Sequence, residues 1–258
     1  MEERFDLIAD FDLNMICNFF RQLDRQGPGS EDETIKALSF IKELPINAKI
    51  ADLGCGTGGQ TITLANNISG DIIAVDLFPG MIEYLDKRVK QQGLEDRITG
   101  LIASMGDLPF SDNEFDLIWA EGSIYHIGFE KGLNEWMKYL KPGGFIAVTE
   151  ATWLTSNRPI EIERYWNENY PEINTASFKL KQLEQAGYNP IATFVLPESC
   201  WSDIFYKPMA DHFDSFLKEY NYSESARQFV KRQKEEIAYY ELYKKYYGYV
   251  FYIGQKPE

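Results

Sequence analysis

The sequence predicts an α/β fold with a mainly parallel, Rossmann-like sheet and helices on both faces. Over the first 150 residues, short apolar runs alternate with segments of helical periodicity, as they do in successive β-α-β units. These runs are nearly continuous rather than alternating, which is typical of strands buried on both faces. The first of them, Ile50 to Leu53, ends in the glycine-rich turn Gly54 to Gly59. Residues 60–68 then have helical character, so a strand, a tight turn and a helix start are expected here.

The remaining elements of this half follow from start and stop signals. Ser30 followed by Glu33 predicts a capped helix that runs to about Lys42. Pro79 is expected to open a helix that Gly93 closes. Another helix is expected from about 130 to 140, ended by the Pro-Gly-Gly at 142–144. The predicted strands are 50–53, 72–75, 98–103, 115–120 and 145–149.

After residue 149 the alternation changes. Residues 153–174 are aromatic and acidic and show no strand pattern, and residues 197–222 form a second aromatic insertion. Between them we predict a helix at 177–186 and a strand at 191–196. The chain is expected to finish with a long helix at 223–246 and a last strand at 249–254.

Charge and cysteine usage limit the classes of function. The 258-residue chain has 26 basic and 40 acidic side chains, a formal net charge of -14 at pH 7. Such a surface repels phosphate backbones, so we expect no nucleic-acid partner. Its three cysteines lack the spacing of a metal site or a disulfide framework, which favours a reducing compartment. Without a signal-peptide pattern or an apolar run of about 18 residues, a cytoplasmic protein that does not enter membranes is expected.

The acid before the glycine-rich turn distinguishes between two kinds of cofactor. The turn satisfies G-x-G-x-x-G through Gly54, Gly56 and Gly59, which alone would equally suggest a nicotinamide or flavin dinucleotide. Asp76 does not decide, because an acid about 20 residues downstream binds a ribose in either case. Asp52 does distinguish the two cofactors, because a carboxylate beside a helix N-terminus would repel a bound pyrophosphate. S-adenosylmethionine carries a sulfonium and an ammonium but no phosphate, and a carboxylate suits it.

Further motifs extend this comparison along most of the chain. In order they are Asp52-Leu-Gly-Cys-Gly-Thr-Gly, Asp76, Gly106-Asp-Leu-Pro-Phe, Phe115-Asp-Leu-Ile, Lys141-Pro-Gly-Gly and Tyr249-Val-Phe-Tyr-Ile. From about residue 45 to 255 they resemble the motifs of class I S-adenosylmethionine-dependent methyltransferases, most of all the small-molecule branch of quinone biosynthesis and amine methylation. The resemblance implies a seven-stranded sheet ordered 3-2-1-4-5-7-6 with the last strand antiparallel. It also implies an N-terminal helical lid over 1–30 and a methyltransferase domain over 31–258, with cap insertions at about 153–174 and 197–246.

The resemblance assigns roles to residues at the ends of the first three strands. Asp52 and the loop through Gly54, Cys55, Gly56 and Gly58 would hold the methionine part of S-adenosylmethionine. Asp76 would accept hydrogen bonds from the ribose hydroxyls. The adenine ring would be flanked by Leu77 and Met81, and Ser30 would lie in a segment folding over the cofactor, although helix capping explains Ser30 equally well. Relatives carry an acid where this chain has Ser104, so the adenine contact is expected to depend on the backbone of Met105.

Candidate catalytic residues follow the fourth strand, in Ala120-Glu-Gly-Ser-Ile-Tyr-His. Glu121 is a candidate for attracting a cationic substrate or the sulfonium, or else a solvated loop acid. Tyr125 is a candidate to cover the methionine part. His126 is a candidate general base near neutral pH, or else a packing residue. Aromatic side chains of the insertions could form a cage for a cation or pack as core: Trp153, Trp166, Trp201, Phe205 and Tyr206.

Several other functions remain or are set aside. The fourth strand is not followed by Asn/Asp-Pro-Pro-Tyr/Phe or a Pro-Cys nucleophile, the patterns of nucleic-acid base methylation. No carboxylate cluster indicates a metal-assisted catechol-type enzyme. A non-catalytic S-adenosylmethionine-binding protein and, less favoured, a nicotinamide-dependent oxidoreductase stay open. The acceptor is expected to be a small molecule, and exposed aromatic helices allow a homodimer.

Overall fold

A single twisted sheet carries the strands in the order β3-β2-β1-β4-β5-β8-β7. The computed structural model describes residues 11–258, and the apolar positions Phe5 and Ile8 of the predicted lid lie outside that range. The strands are β1 (Lys49–Leu53), β2 (Asp71–Asp76), β3 (Ile98–Ile102), β4 (Phe115–Ala120), β5 (Leu140–Trp153), β6 (Asn174–Thr175), β7 (Asn189–Val195) and β8 (Tyr247–Gln255). β8 runs antiparallel to β5 and β7, whereas β1 to β5 pair in parallel. With the two-residue β6 set aside, this is the predicted order with its antiparallel last strand.

Ten α-helices are described around the sheet. They are α1 (Leu13–Phe20), α2 (Glu31–Ser39), α3 (Gly59–Asn67), α4 (Pro79–Gln92), α5 (Phe129–Trp136), α6 (Ile160–Asn169), α7 (Ala176–Gln185), α8 (Glu198–Trp201), α9 (Lys207–Glu219) and α10 (Glu224–Tyr243). The capping signals are confirmed, since the Ser30 hydroxyl accepts from the Glu33 amide at 3.1 Å. Pro79 occupies the first turn of α4, and Gly93 closes that helix in a left-handed conformation at φ 66°.

The side chains of the strands divide into two apolar clusters, one on each face of the sheet. Ile50 of β1 packs into the cluster that α3, α4, α9 and α10 cover. Ala51 and Leu53 point the other way, into the cluster under α5 and α7. This alternation along one short strand is what two-sided burial requires. Because β3, β2, β1 and β4 pair in parallel, their carboxyl ends lie at one edge of the sheet, where a ligand of an open α/β fold binds.

The second half of the chain differs from the prediction in three places. β5 continues to Trp153 rather than ending at residue 149, because β8 pairs with it from Phe145 to Trp153. The stretch 153–174 contains helix α6 and ends in the two-residue β6, which pairs in parallel with β5. The insertion 197–222 is helical, with a π-helical turn at 202–206 between α8 and α9. Most of its aromatic side chains face the core at helical spacing. Because aromatic residues are so frequent in this insertion, the sequence did not reveal the helical period.

Candidate functional site

The glycine-rich turn joins β1 to α3 at the carboxyl edge of the sheet. The amides of Gly54 and Cys55 both donate to the carbonyl of Val75, at 2.8 and 2.9 Å, which fixes the turn against the end of β2. Gly54, Gly56 and Gly58 have φ values of 76°, 54° and 86°, a region that disfavours side chains. A Cβ on Gly54 would lie 2.3 Å from Cβ of Ser123, so the turn also touches the tip of β4.

The segment before α2 closes directly over this turn. The Gln26 carboxamide accepts from the Thr57 amide at 2.9 Å, and its Nε2 donates to Oγ1 of Thr57 at 3.0 Å. A Cβ on Gly56 would lie 2.0 Å from Oε1 of Gln26, and one on Gly59 would lie 2.8 Å from the carbonyl of Asp24. Two loop glycines are therefore needed for the approach of the chain's own N-terminal segment, and not only for a ligand.

Asp52 is completely buried at the end of β1. One carboxylate oxygen accepts from the Thr61 hydroxyl at 2.6 Å, and the other accepts from Gln60 at 3.3 Å. Burial raises the pKa of Asp52 to about 7, and the two hydrogen bonds offset that rise only in part. The carboxyl of Asp52 is thus hydrogen-bonded to the first turn of α3, just below the loop. The nearby guanidinium of Arg25 favours its ionised form.

Asp76 ends β2 beside the same loop. Its carboxylate accepts from the amides of Gly56 and Phe78, both at 2.9 Å. Burial raises the pKa of this carboxyl, and the backbone donors act against the rise. Leu77 is 58% exposed and Met81 is 6% exposed, so the two predicted adenine neighbours differ in access: Leu77 is open and Met81 belongs to the first turn of α4.

Residues after β3 form a small turn at the same edge. Ser104 is exposed and bridges to Asp107, and its hydroxyl accepts from the Gly106 amide at 3.3 Å. The carbonyl of Met105 accepts from the indole of Trp136 at 2.9 Å. The carbonyl of Met105 is therefore already engaged, and its amide is the backbone group left for the predicted adenine contact.

Glu121 is not the solvated acid that the sequence allowed. Its side chain is 3% exposed and forms an ion pair with Arg25, whose guanidinium nitrogen lies 2.8 Å away. The other oxygen accepts from the Thr34 hydroxyl at 2.6 Å and from the Trp119 indole at 2.9 Å. With both oxygens engaged, Glu121 fastens the N-terminal segment to β4. Arg25 was missed by sequence reasoning, because a lone arginine outside any motif carries no local signal.

Tyr125 and His126 lie in a 3-10 turn directly beyond the tip of β4. Their rings are 4.0 Å apart, and Tyr125 also meets the ring of Tyr170 at 5.9 Å. Desolvation lowers the pKa of His126, which keeps its imidazole neutral near pH 7. Burial and the carboxylates of Glu236 and Glu150 raise the pKa of Tyr125, so its phenol stays protonated. A neutral imidazole in this place can accept a proton.

The aromatic candidates of the insertions separate into two groups. Trp153 holds the guanidinium of Arg158 over its ring at 4.2 Å, so this face is taken by a cation of the chain itself. Trp201, in contrast, meets Tyr249 at 4.8 Å and Tyr206 at 5.9 Å. Trp166 meets Tyr247 at 4.9 Å, and Phe205 meets Tyr206 at 5.2 Å. Since Trp153 also meets Tyr247 at 6.4 Å, all five rings belong to one connected aromatic wall, and Trp153 differs in carrying Arg158 on its face.

The described residues show neither a metal centre nor a membrane-spanning helix. Among residues 11–258, no group of three or more histidine, cysteine or acidic side chains is arranged to hold a metal ion. Over the same range, no helix combines the length and the apolar character that a bilayer crossing needs. The site at the carboxyl edge of the sheet combines the glycine loop, the buried acids Asp52 and Glu121, and the aromatic wall.

Comparison with known proteins agrees with this site. A family of methyltransferase domains matches residues 50–144. Demethylmenaquinone methyltransferase of Symbiobacterium thermophilum is 37% identical over 147 residues, which are 55% of this chain and 57% of that protein. Phosphoethanolamine N-methyltransferase 3 of Arabidopsis thaliana is 27% identical over 207 residues, 80% of this chain and 40% of that protein. The chain therefore spans less than two thirds of the length of these curated relatives.

Solved structures show the same fold at low identity. A methyltransferase of Geobacter sulfurreducens, in complex with S-adenosylhomocysteine, superposes with a TM-score of 0.82 at 17% identity, covering 96% of this chain and 99% of that one. The [4+2]-cyclase SpnF superposes with a TM-score of 0.74 at 19% identity, over 95% and 93% of the two chains. Since a cyclase shares the fold, the fold by itself does not define the reaction.

Proposed function

We propose that this chain, whose domain at residues 50–144 belongs to the class I S-adenosylmethionine-dependent methyltransferases, transfers a methyl group from S-adenosylmethionine to a small molecule. Its relatives by sequence are named for methyl transfer to phosphoethanolamine and demethylmenaquinone. The Geobacter structure holds S-adenosylhomocysteine, the product such a transfer leaves. These names support the class of reaction.

One contact favours S-adenosylmethionine over a dinucleotide as the cofactor. The carbonyl oxygen of the Gln26 side chain accepts from the Thr57 amide at 2.9 Å. In a dinucleotide-binding protein, the amides before this helix receive the pyrophosphate. Here a neutral oxygen already occupies that direction, and the buried acid Asp52 lies one turn below. The Thr57 amide is therefore engaged and a carboxylate is close by, which disfavours a phosphate, favours a cationic nucleoside and argues against the nicotinamide alternative.

The transfer itself is an in-line displacement at the methyl carbon. A lone pair of the acceptor forms the new bond, the carbon–sulfur bond breaks, and its electrons remain on sulfur as a neutral thioether. Because the sulfonium is already an activated leaving group, the protein mainly aligns the two partners and excludes water. We assign the removal of the acceptor's proton to His126, because it follows the tip of β4 and its imidazole is neutral near pH 7. Glu121 acts at a distance, by holding the N-terminal segment in position.

Calorimetry tests the cofactor assignment. We expect S-adenosylmethionine and S-adenosylhomocysteine to bind the purified chain and NADH to give no heat. Asp76→Asn should weaken both nucleosides by about tenfold or more, because it replaces a charged acceptor of the ribose hydroxyls by a neutral one. Tight binding of NADH without binding of either nucleoside would overturn the assignment.

Mass spectrometry tests the reaction. The protein is incubated with a metabolite extract and a donor labelled in its methyl group, and products that gain the label are identified. A labelled small molecule supports the transferase. Binding of S-adenosylhomocysteine with no labelled product across the extract would instead support the non-catalytic alternative.

A further inference from the structure

Beyond the tip of β4, a carboxylate stands among five tyrosines that come from separate parts of the chain. The carboxylate is Glu236 of α10, which is half-buried. The tyrosine cluster consists of Tyr125 after β4, Tyr165 of α6, Tyr206 of the π-helical turn, and Tyr247 and Tyr249 of β8. The rings of Tyr206, Tyr247 and Tyr249 all contact Trp201, at 5.9, 6.0 and 4.8 Å. Glu236 contributes to raising the pKa of all five phenols, and Glu150 adds to the rise at Tyr125 and Tyr249.

Glu236 has little to balance its charge. Within residues 11–258 its one hydrogen bond comes from the Tyr206 hydroxyl, at 3.0 Å, and it takes part in no ion pair. Arg232 lies near enough to lower the pKa of Glu236, but its guanidinium bonds the Asn169 side chain at 2.9 Å. Burial raises the pKa of the Glu236 carboxyl above its usual range. A cation bound beside Glu236 would therefore be stabilised, because little else balances the negative charge of this carboxylate.

Buried donors without partners accompany this carboxylate. Gln233 is 1% exposed and precedes Glu236 by one helical turn, so the two share a face of α10, and its amide nitrogen has no hydrogen-bond partner in the described chain. The indole nitrogens of Trp166 and Trp201 are likewise unpartnered, and both rings contact Tyr247, at 4.9 and 6.0 Å. Buried polar atoms are nearly always satisfied, so these donors are available to a bound water or to a polar ligand.

The cluster adjoins the proposed cofactor site. A Cβ on Gly122 would lie 3.9 Å from the hydroxyl of Tyr249, and the Ser123 hydroxyl donates to the carbonyl of Leu53 at 2.6 Å. Leu53 immediately precedes the glycine loop. Gly122 and Ser123 at the tip of β4 therefore lie between the tyrosine cluster and that loop. His126 follows Tyr125 of the cluster directly in the chain.

We propose that this tyrosine cluster and Glu236 form the acceptor site, and that the acceptor is a cationic amine that also carries a hydrogen-bonding oxygen. Ring faces and a carboxylate together are the chemistry that recognises an alkylated ammonium group. The unpartnered amide and indole donors suit the oxygen. The acceptor sheds its proton to His126 before its nitrogen lone pair attacks the methyl carbon. This inference rests on the proposed methyl transfer, because it names the partner of that reaction.

Paired ligands of equal shape test the charge requirement. Binding of choline and of its neutral isostere 3,3-dimethylbutan-1-ol is measured by calorimetry on protein saturated with S-adenosylhomocysteine, and benzylamine and benzyl alcohol form a second pair. We expect at least one cation to bind about tenfold or more tightly than its neutral partner. Equal binding within both pairs, or no binding of either cation, would overturn the inference.

Matched variants test the residue. Glu236→Gln keeps an oxygen for Tyr206 but removes the charge, and should lower the affinity of the bound cation by about tenfold or more. Glu235→Gln removes the neighbouring exposed charge, which pairs with Lys231 at 3.9 Å, and should leave that affinity unchanged. Equal loss in both variants would show that general acidity, and not this site, attracts cations. Affinity for S-adenosylhomocysteine is measured in each variant, so failure of the cofactor site is recognised separately.

Discussion

A guanidinium nitrogen of Arg25 lies 2.8 Å from a carboxylate oxygen of Glu121, in a buried ion pair that ties the N-terminal segment to the tip of β4. The pair is further enclosed by Gly29, where a Cβ would lie 2.9 Å from both partners. Thr34 of α2 joins it by accepting from Arg25 at 3.2 Å and donating to Glu121 at 2.6 Å. The segment that covers the glycine loop is thus held by charge as well as by packing.

The first prediction concerns this pair. Arg25→Met leaves Glu121 buried without its partner and should lower the free energy of unfolding by about 3 kcal/mol. It should also speed the dissociation of S-adenosylhomocysteine, because the segment over the loop loses its anchor. Denaturant unfolding and stopped-flow release measure the two effects.

A double-mutant cycle supplies the control for the ion pair. Arg25→Met combined with Glu121→Gln removes both charges, so the double variant should recover part of the stability that either single change loses. Stability losses that simply add would show that the two side chains act independently.

The second prediction concerns close approach at Gly59. Its backbone is helical, so alanine there carries no conformational penalty, yet the new methyl group would lie 2.8 Å from the carbonyl of Asp24 and from Cγ of Arg25. We expect Gly59→Ala to displace the segment and weaken S-adenosylhomocysteine binding by about tenfold. Gly106→Ala is the matched control, since its nearest neighbour would lie at 3.6 Å. Equal affinity in both variants would mean that the segment does not bear on the cofactor site.

Sequence alone was sufficient for the sheet and for the loop. Apolar runs and caps predicted where the long strands and most helices lie along the chain, because these signals are local. The order of the strands in the sheet came from the resemblance to methyltransferases, and the structure confirms it. The partners of the loop were not predictable in the same way. The contact between Gln26 and Thr57 joins residues 31 positions apart, and that between Arg25 and Glu121 joins residues 96 apart. Such long-range pairing leaves no periodic trace. The sequence therefore offered Glu121 as an acid facing the substrate or the sulfonium, or as a solvated loop acid, and not as the partner of Arg25.

The third prediction uses the raised pKa of Asp52, about 7 in the folded chain against an ordinary value of 3.8. Below pH 7 the carboxyl is mostly protonated, so binding a ligand whose α-ammonium lies above it is coupled to the release of a proton. Affinity for S-adenosylhomocysteine should therefore rise as pH increases from 5.5 through about 7, by up to about tenfold per unit, and then level off. Calorimetry across this range measures the slope.

Two variants assign that slope to its residue. Asp52→Asn should flatten the rise, because the side chain no longer titrates. Glu150→Gln should keep it, although burial also raises the pKa of Glu150 to about 7, because that carboxylate pairs with Lys179 at 3.0 Å. A slope that survives Asp52→Asn would place the titrating group elsewhere.

The fourth prediction concerns His126 as the proton acceptor. Desolvation holds its pKa below 6.5, so the methyl-transfer rate on the acceptor found by labelling should rise through that lower pKa and be flat from about pH 7 to 8. His126→Asn should lower the rate by about 100-fold or more while S-adenosylhomocysteine affinity is kept. His212→Asn is the matched control, since that ring bonds Ser215 at 2.9 Å and packs 5.2 Å from Phe19. A full rate in His126→Asn would mean that water removes the proton, because the neighbouring Tyr125 phenol is held protonated by burial and by two nearby carboxylates.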